Sequence, residues 1–413
     1  MRGRHLQTSD IGMRYRTSSI MVRRTGRSQS GGSMGSGFSP KEFYGGMMNS
    51  LAMQVARDEV AWVDRHRTPD APVDTLLAFG CAVQHTPHLM RAAVKVFEVL
   101  GIEHQAVVGR QFCCGRPLQR TGRVRAADSV VATSYARFAS YRPQTMVQWC
   151  GACMITYIDV ASRRMTTPFE VIHVSTYMAR LLRARAGDIP WKNTDRLPVL
   201  VHRHDQPKVP NDRAYEHGGR PGRELVSGAT IDAVDEILSY IPGVENLGIV
   251  EPPSTGAPCD LKKINDRFVG LGDISSDAHR EILRDLGKQA ERTGAEIVVT
   301  PYHACQKQWS KLASHRLGVR HWMSVLADAL GVGVEDRYQT YWRLADTDAI
   351  VEAAHPAWGS WGISREDAYD HARTHFTAAF SESIHDCECG GSGCGAPSPE
   401  LVWPGTAEVR QPS

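Results

Sequence analysis

The chain has 413 residues, of which 42% are hydrophobic, 23% charged and 8% aromatic. This ordinary globular composition excludes a collagen-like, coiled-coil or wholly disordered protein, and the length suits two or three domains. No run of about 18 apolar residues occurs, so we expect no transmembrane segment. The 48 basic and 45 acidic residues give a net charge of +3, too close to balance to indicate nucleic acid as the main partner.

Cysteine is the informative residue type in this sequence. The 10 cysteines are clustered, and two of them are adjacent. The chain is far too long for a small secreted disulfide scaffold, and clustered cysteines in a long chain are more typical of metal binding. We therefore expect a reducing, cytoplasmic compartment with metal-bound cysteines.

The segment before residue 40 has a different composition from the rest. It is rich in arginine, contains Asp10 as its acid, and ends in a Ser/Gly run over residues 28–39. Such a segment cannot bury enough apolar surface to order itself. An Arg- and Ser-rich, acid-poor stretch also fits a mitochondrial transit peptide, and Met34 is an alternative start. We expect residues 1–40 to be a disordered or mis-assigned leader rather than a targeting segment.

A regular alternation of strands and helices begins at residue 75. Apolar runs at 75–79, 105–108 and 145–149 predict strands, and helical spacing follows Pro87 and covers 126–141. The β-α-β-α-β order predicts an α/β fold with a parallel sheet. Cysteines come directly after these strands, at the sheet edge where open α/β folds bind ligands.

A looser version of the same pattern follows. Strands are predicted at 199–201, 247–250 and 296–300, with helices over 231–238, from Ser276 and over 322–330. Two copies of one α/β unit, about 190 residues apart, are the simplest account. The predicted organisation is a first unit at 74–190, a second at 196–332 and an irregular C-terminal extension at 335–413.

The first unit brings five thiols to one sheet edge. They are Cys81, the adjacent pair Cys113 and Cys114, and the two ends of the Cys150-Gly151-Ala152-Cys153 motif. Thiolates bind soft metals and iron–sulfur clusters, and a Cys-x-x-Cys loop supplies two donors. A single buried cysteine is often only a small apolar residue, but five at these strand ends indicate metal binding. Zinc needs only four ligands, so a fifth thiolate indicates a larger cluster. No Walker A loop or GxGxxG motif follows a strand, so we expect no flavin or nucleotide on this chain.

The spacing C-x31-CC-x35-C-x-x-C, with Cys-Cys-Gly at its centre, resembles the cysteine-rich CCG domain of heterodisulfide reductase B-type subunits. The resemblance covers about residues 74–332. In that family two CCG domains lie in tandem, and a complete motif holds a non-cubane 4Fe-4S cluster that performs disulfide chemistry in one-electron steps. The resemblance implies that the ligands here are Cys81, Cys113, Cys114, Cys150 and Cys153.

The second unit departs from the family motif. It reads His204-Asp205-Gln206-Pro207 where family members read His-Asp-Pro-Cys, and it retains only Cys259 and Cys305. Two thiols cannot hold a non-cubane cluster. With help from His204, His303 or the C-terminal tail they can hold a smaller iron–sulfur cluster. The alternative is a degenerate copy that serves packing and docking.

Two features of the C-terminal extension remain. Cys387, Cys389 and Cys394 lie in a glycine-rich stretch, where glycines allow the chain either to fold over a cluster or to stay flexible. Three cysteines so close together favour metal or redox use. A second stretch, around Trp342, Trp358 and Trp361, is interpreted as a docking or packing surface.

The resemblance implies an enzyme subunit: a thiol/disulfide oxidoreductase that works beside a small iron–sulfur C-type subunit and an A-type flavoprotein. With one complete and one incomplete motif, the chain is similar to the B-type subunits of sulfur-oxidising complexes. The substrate of those complexes is a protein-bound sulfur species carried on lipoate. The direction of reaction depends on relative potentials. Two alternatives stay open. One is an electron-transfer iron–sulfur subunit of a glycerol-3-phosphate, glycolate or succinate dehydrogenase, and the other is a zinc-stabilised scaffold.

Overall fold

A computed structural model describes the chain from residue 39 to residue 377, with gaps at 65, 121–122, 155, 158–168, 204–222, 252–275 and 315. Several sequence predictions lie outside the described residues. They are the leader before residue 39, the candidate ligands His204 and Cys259, and the tail cysteines Cys387, Cys389 and Cys394.

The first sheet has four parallel strands in the order β2-β1-β3-β4. The strands are β1 (Thr75–Ala78), β2 (His104–Val107), β3 (Thr145–Gln148) and β4 (Glu170–His173). All four residues of β1 are buried, as expected for a central parallel strand that is covered on both faces. The predicted α/β class and parallel sheet are therefore confirmed, and β4 is a strand that the sequence did not reveal.

The second sheet repeats the first. Its four parallel strands run in the order β6-β5-β7-β8, with the same connectivity. They are β5 (Leu197–Val201), β6 (Val244–Ile249), β7 (Ile297–Thr300) and β8 (Gly318–His321). The predicted internal repeat is confirmed, but the expected spacing of about 190 residues is wrong. The equivalent strands β1 and β5 begin at Thr75 and Leu197.

Helices surround both sheets. The α-helices of the described residues are α1 (Pro40–Gln54), α2 (Pro87–Val99), α3 (Arg116–Arg120), α4 (Val124–Ser140), α5 (Val174–Ala184), α6 (Arg223–Tyr240), α7 (Ser276–Thr293), α8 (His303–Trp309), α9 (Trp322–Ala329), α10 (Arg337–Leu344), α11 (Thr347–Ser360) and α12 (Arg365–Ala372). Short 3₁₀ helices cover Asp58–Val63, Ala82–His85, Arg110–Phe112 and Ser310–Leu312, and Arg373–Thr377 is a π-helical turn. In the part of the chain described, no helix is long and apolar enough to cross a membrane.

Helix α2 shows how the sequence determines the packing of these elements. Pro87 occupies its first turn, where the missing N–H costs nothing, and Gly101 follows its end with a φ of +64°. Leu89, Val96 and Phe97 lie on one face and are fully buried. The predicted helix is confirmed, and its apolar face contributes to the core that the first sheet shares with the second.

The two sheets share one apolar core. Leu77 and Val147 of the first sheet belong to the same buried cluster as Val199 and Val299 of the second. Helix α9 of the second copy packs on α2 of the first, and the ring of Trp149 stacks on His321 at 5.4 Å. The loops that follow the strands of one copy therefore lie within reach of the other copy.

The expected irregular chain from about Glu335 is wrong for residues 337–377, which form α10, α11, α12 and the π turn. Side chains of Asp336, Asp346 and Ser364 accept hydrogen bonds from backbone N–H groups and so cap the three α-helices. The segment is polar in composition and therefore looked irregular. Its few large apolar side chains nevertheless anchor it.

These C-terminal helices pack against α1. Trp342 and Trp358 are buried in a cluster that includes Met53, and Trp361 donates a hydrogen bond of 2.8 Å to the Val55 carbonyl. The tryptophan stretch thus packs within the chain, one of the two roles that the sequence indicated. The contact joins the segment before the first sheet to the segment after the second.

Candidate functional site

Three loops place the five cysteines at one edge of the first sheet. Cys81 follows β1, the pair Cys113 and Cys114 follows β2 after a 3₁₀ turn, and Cys150 follows β3. Residues 151–154 are helical, which turns Cys153 back towards the same edge. The carboxyl ends of parallel strands meet there, so residues distant in sequence become neighbours.

The five thiols form a row of side-chain contacts. Cys81 contacts Cys113, Cys113 contacts Cys114, Cys114 contacts Cys153, and Cys153 contacts Cys150. All are buried except Cys150, which is partly exposed. Among the described residues, no group of three or more His, Cys, Asp or Glu side chains is arranged to hold a single metal ion. The site is thus an extended row of sulfur donors that opens to solvent at one end.

Two glycines allow the loops to approach this closely. Gly80 has a φ of +75°, and a Cβ there would lie 3.2 Å from the Cys153 Sγ. Gly115 has a φ of +70°, and a Cβ there would lie 2.6 Å from the Ala127 carbonyl oxygen. A side chain at either position would displace its neighbours. The positive φ is also strained for any residue other than glycine. The Cys-Cys-Gly motif therefore needs its glycine for the fold of the loop.

The thiols cannot all ionise in the absence of a cation. The pKa of Cys113 is lowered to about 3, chiefly because Cys114 and then Cys81 donate hydrogen bonds to it. The same contact with Cys113 raises the pKa of Cys114 to about 12, and it also raises the pKa of Cys81. Each protonated thiol therefore stabilises a neighbouring thiolate. A metal group that carries several positive charges would ionise the whole row, so this donor set fits a multi-iron cluster.

The open end of the row is also electropositive. The pKa of Cys150 is lowered to about 7, first by a hydrogen bond from Cys153, then by backbone N–H groups, and also by the charge of Arg116. Arg116 is half-buried, and its Nε atom has no hydrogen-bond partner among the described residues. A negative charge that develops near Cys150 would therefore be stabilised.

A tyrosine from outside the predicted first unit completes the site. The hydroxyl of Tyr44, on α1, donates a hydrogen bond of 2.9 Å to the Cys113 Sγ, and the backbone N–H of Gly115 donates another of 3.3 Å. Burial and then the contact with Cys113 raise the pKa of Tyr44, so its hydroxyl keeps its proton. Met47 of the same helix packs with Cys81 and Cys113. No motif in the sequence indicated this role for α1.

The cysteine-rich domain family designated CCG matches residues 77–157, a range that contains all five thiols. The dihydromethanophenazine:CoB–CoM heterodisulfide reductase of Methanosarcina barkeri has a D-type subunit that is 26% identical to this chain over 304 residues. That alignment covers 70% of this chain and 66% of the relative. The corresponding protein of Methanosarcina mazei is 23% identical over 208 residues, covering 48% of this chain and 46% of the relative.

Residues 77–157 of this chain match the CCG cysteine-rich domain, and the chain is similar to the D-type subunit of heterodisulfide reductase. The resemblance inferred from the cysteine spacing is thereby confirmed. The chain spans 66% of one of these curated relatives and 46% of the other. The family match lies within the first copy and contains the complete cysteine motif.

Buried polar contacts hold the CCG loop in place. Ser134 of α4 donates a hydrogen bond of 2.8 Å to the Cys113 carbonyl, and the Tyr157 hydroxyl donates one of 2.9 Å to the Phe112 carbonyl. The N–H of Gly109 donates to the Gly80 carbonyl at 2.7 Å, which joins two of the three cysteine loops. These bonds satisfy backbone groups that the loop would otherwise bury unpaired.

The second copy places its remaining candidates differently. Cys305 lies on α8, just after β7, and is buried in an apolar cluster with Trp309 and Leu312. His202 is buried, with its ring 5.0 Å from the ring of Trp309. Tyr302 lies against the CCG domain, because a Cβ on Gly151 would be 3.4 Å from its ring. The described part of the second copy therefore contributes aromatic and imidazole groups beside the first site.

Proposed function

We propose that this chain is the thiol/disulfide oxidoreductase subunit of a heterodisulfide reductase-like complex. In this proposal a non-cubane 4Fe-4S cluster is held by Cys81, Cys113, Cys114, Cys150 and Cys153. The observation that carries the proposal is the row of five contacting thiols, four of them buried, which ends at the partly exposed Cys150. A sulfur substrate can approach that end, while the buried end is shielded from water.

The cluster would supply electrons one at a time to a sulfur substrate. The chain's own residues provide the surroundings. The Tyr44 hydroxyl oxygen lies 2.9 Å from the Cys113 Sγ and keeps its proton, and Arg116 places a positive charge near Cys150. Burial of the remaining thiols lowers the local dielectric, which strengthens both interactions. These groups stabilise negative charge on sulfur, as a reaction that releases a thiolate requires.

We further propose that the electrons pass through partner subunits. The sequence has no flavin or nucleotide motif, so a small iron–sulfur C-type subunit and an A-type flavoprotein are the expected partners. The proposed substrate is a disulfide or a protein-bound sulfur species, such as one carried on a lipoate-binding protein in cytoplasmic sulfur oxidation. The relationship to heterodisulfide reductase subunits supports thiol chemistry over a dehydrogenase role.

The proposed domain boundaries are 74–190 for the complete CCG domain and 196–332 for the second. We propose that the second copy is degenerate and serves to pack against and complete the first. The apolar surroundings of Cys305 support this assignment. Two further roles stay predictions from the sequence. One is a residual cluster that uses Cys259, Cys305 and His204. The other is metal or redox use of Cys387, Cys389 and Cys394.

The experiment is an anaerobic assay with a reduced viologen dye as electron donor and a small disulfide as acceptor. The wild-type chain should release thiol. The rate of thiol release by Cys153→Ala should fall to background, because the cluster loses a ligand. Cys305→Ala is the matched control and should retain activity. If the protein accepts electrons from the dye and releases no thiol, an electron-transfer role is favoured and the proposed function is wrong.

A further inference from the structure

The two halves of helix α1 differ in how deeply they are buried. At its C-terminal end, residues 50–54 are all buried. At its N-terminal end, residues 40–42 are exposed and residues 43–46 are partly exposed. The adjacent Gly45 and Gly46 lie between the two halves. We call residues 39–44 the flap.

The buried half of α1 is anchored to other parts of the chain. The Oγ of Ser50 lies 3.0 Å from the Nδ1 of His85 and 3.2 Å from the Nε2 of His371 on α12. The Met53 carbonyl accepts a hydrogen bond of 2.9 Å from the Tyr341 hydroxyl on α10. This half therefore cannot move without breaking buried hydrogen bonds to the first copy and to the C-terminal helices.

The flap covers the end of the cysteine row that lies opposite Cys150. Tyr44 donates its hydrogen bond of 2.9 Å to the Cys113 Sγ, and Phe43 packs with it beside the same thiol, which is fully buried. The first turn of the flap is capped at the surface, where the Ser39 Oγ accepts a hydrogen bond of 3.3 Å from a backbone N–H. Displacement of the flap would therefore uncover Cys113 and break an exposed cap.

Two glycines weaken the helix between the flap and the anchored half. A Cβ on Gly45 would meet no atom within 4 Å, and a Cβ on Gly46 would meet the His375 Nε2 at 3.9 Å. Alanine would fit at both positions, so packing does not require glycine at either. In a helix interior, glycine is disfavoured about fivefold relative to alanine, which corresponds to about 1 kcal/mol. The helix is therefore intrinsically weak at the point where its burial changes.

The loops that carry the cysteines are fixed more firmly than the flap. The N–H of Trp149 donates a hydrogen bond of 3.0 Å to the Ala78 carbonyl, and the N–H of Gly109 donates one of 2.7 Å to the Gly80 carbonyl. These bonds continue the sheet into the loops. Four of the five thiols are buried, so iron and sulfide cannot reach them while the site is closed. The flap is the cover that moves without breaking the sheet.

We propose that the flap opens about Gly45 and Gly46 while the rest of the chain stays folded, and that this opening is the route by which iron and sulfide reach the buried thiols. On closing, Tyr44 returns to the Cys113 Sγ, and the flap again excludes water and oxidants from this end of the row. As a route for the cluster, the inference rests on the proposed function. The motion itself involves only α1 and the cysteine row.

The test measures how fast iodoacetamide alkylates individual cysteines of the full chain prepared without iron, with peptide mass spectrometry as the readout. When opening and closing are faster than alkylation, the rate at Cys113 is proportional to the open population. Gly45→Ala should slow alkylation of Cys113 about fivefold and leave the rate at Cys153 unchanged. Tyr44→Phe should speed alkylation of Cys113 about fivefold, because the lost hydrogen bond exists only when the flap is closed.

Gly287→Ala, inside α7 of the second copy, is the matched control. A Cβ there would lie 3.4 Å from the Arg316 Cδ, an ordinary contact, so this variant strengthens a different helix by a similar amount. Its rate at Cys113 should match wild type. An unchanged rate at Cys113 in Gly45→Ala would overturn the inference. Equal slowing at Cys113 and Cys153 would also overturn it, because the whole site would then open together.

Reconstitution with ferrous iron and sulfide under anaerobic conditions tests the route. Gly45→Ala should form the cluster about fivefold more slowly than wild type and reach the same final iron content. Equal rates of cluster formation in the two proteins would overturn the flap as the route. A wild type that binds no iron would overturn the proposed function, and the alkylation rates would still decide whether the flap opens.

Discussion

The hydroxyl of Tyr44 and the Sγ of Cys113 are joined by a hydrogen bond of 2.9 Å between residues 69 positions apart. Tyr44 lies on α1, before the range that the CCG family matches, yet it contacts the thiol with the lowest pKa in the row. Hydrogen bonds to cluster sulfurs favour the more negative, reduced state and so raise the reduction potential. Helix α1 is therefore part of the proposed redox site.

Tyr44→Phe should make the cluster harder to reduce. The variant keeps the ring and removes the donor, so we expect the potential to fall by about 60 mV, equivalent to about 1.4 kcal/mol for one electron. Anaerobic redox titration followed by electron paramagnetic resonance measures the shift. Burial alone raises the pKa of Tyr141, with no contribution from a cysteine, so Tyr141→Phe is the control and its potential should match wild type. Equal potentials in Tyr44→Phe and wild type would show that the bond has no electronic effect.

Gly115→Ala should disrupt the Cys-Cys-Gly loop. A Cβ would lie 2.6 Å from the Ala127 carbonyl oxygen at a φ of +70°, so both contact and conformation are unfavourable. We expect a loss of about 2–4 kcal/mol in the free energy of unfolding and a lower iron content. Chemical denaturation and iron analysis measure the two effects. Gly187→Ala, where a Cβ meets nothing within 4 Å, is the control. Normal stability and iron in Gly115→Ala would mean that the loop adapts.

The predictable parts of the fold are those determined by local sequence. The strands at β1, β3 and β7 are short apolar runs, and α2 has both a Pro87 start and a Gly101 stop. The convergence of the cysteines followed from parallel-sheet geometry, since each lies just past a strand end. Strand β4 and the helices beyond residue 336 were not predicted. Many of their residues are polar, so the apolar residues that pack against the core form no clear periodic pattern in the sequence.

The missed parts of the site depend on contacts between distant segments. Tyr44 and Cys113 are separated by 69 positions, and Ser50 and His371 by 321. No periodicity or spacing encodes such a pair. Tyr44 and Ser50 each read as an ordinary polar residue until the packing of α1 against the cysteine loops and the C-terminal helices brings them to their partners.

His371 should make the protein less stable in mild acid. Burial lowers its pKa to about 3, whereas an unfolded histidine titrates at about 6.5. Above the unfolded value neither state is protonated. Below it only the unfolded chain gains the proton, so the free energy of unfolding should fall by about 1.4 kcal/mol per pH unit from this residue. Denaturation of wild type and His371→Gln between about pH 7 and pH 5 measures the slope. An identical slope in both would contradict the assignment.

Cys305→Ala should leave the iron content unchanged. The side chain is 1% exposed and packs in an apolar cluster, so its removal should cost about 1 kcal/mol of stability through the small cavity that remains. Metal analysis and chemical denaturation test the two statements. A fall in iron per chain would show that Cys305 is a ligand, and the second copy would then hold a cluster of its own.

The proposed function requires that the five-cysteine row holds a multi-iron cluster. Iron, acid-labile sulfide and zinc per chain, measured on protein purified anaerobically, test it most directly. We expect about four iron and about four sulfide with no stoichiometric zinc, and a loss of both iron and sulfide in Cys114→Ala. Zinc bound without sulfide, with Cys114→Ala releasing that zinc, would contradict the claim and make the site a structural zinc centre.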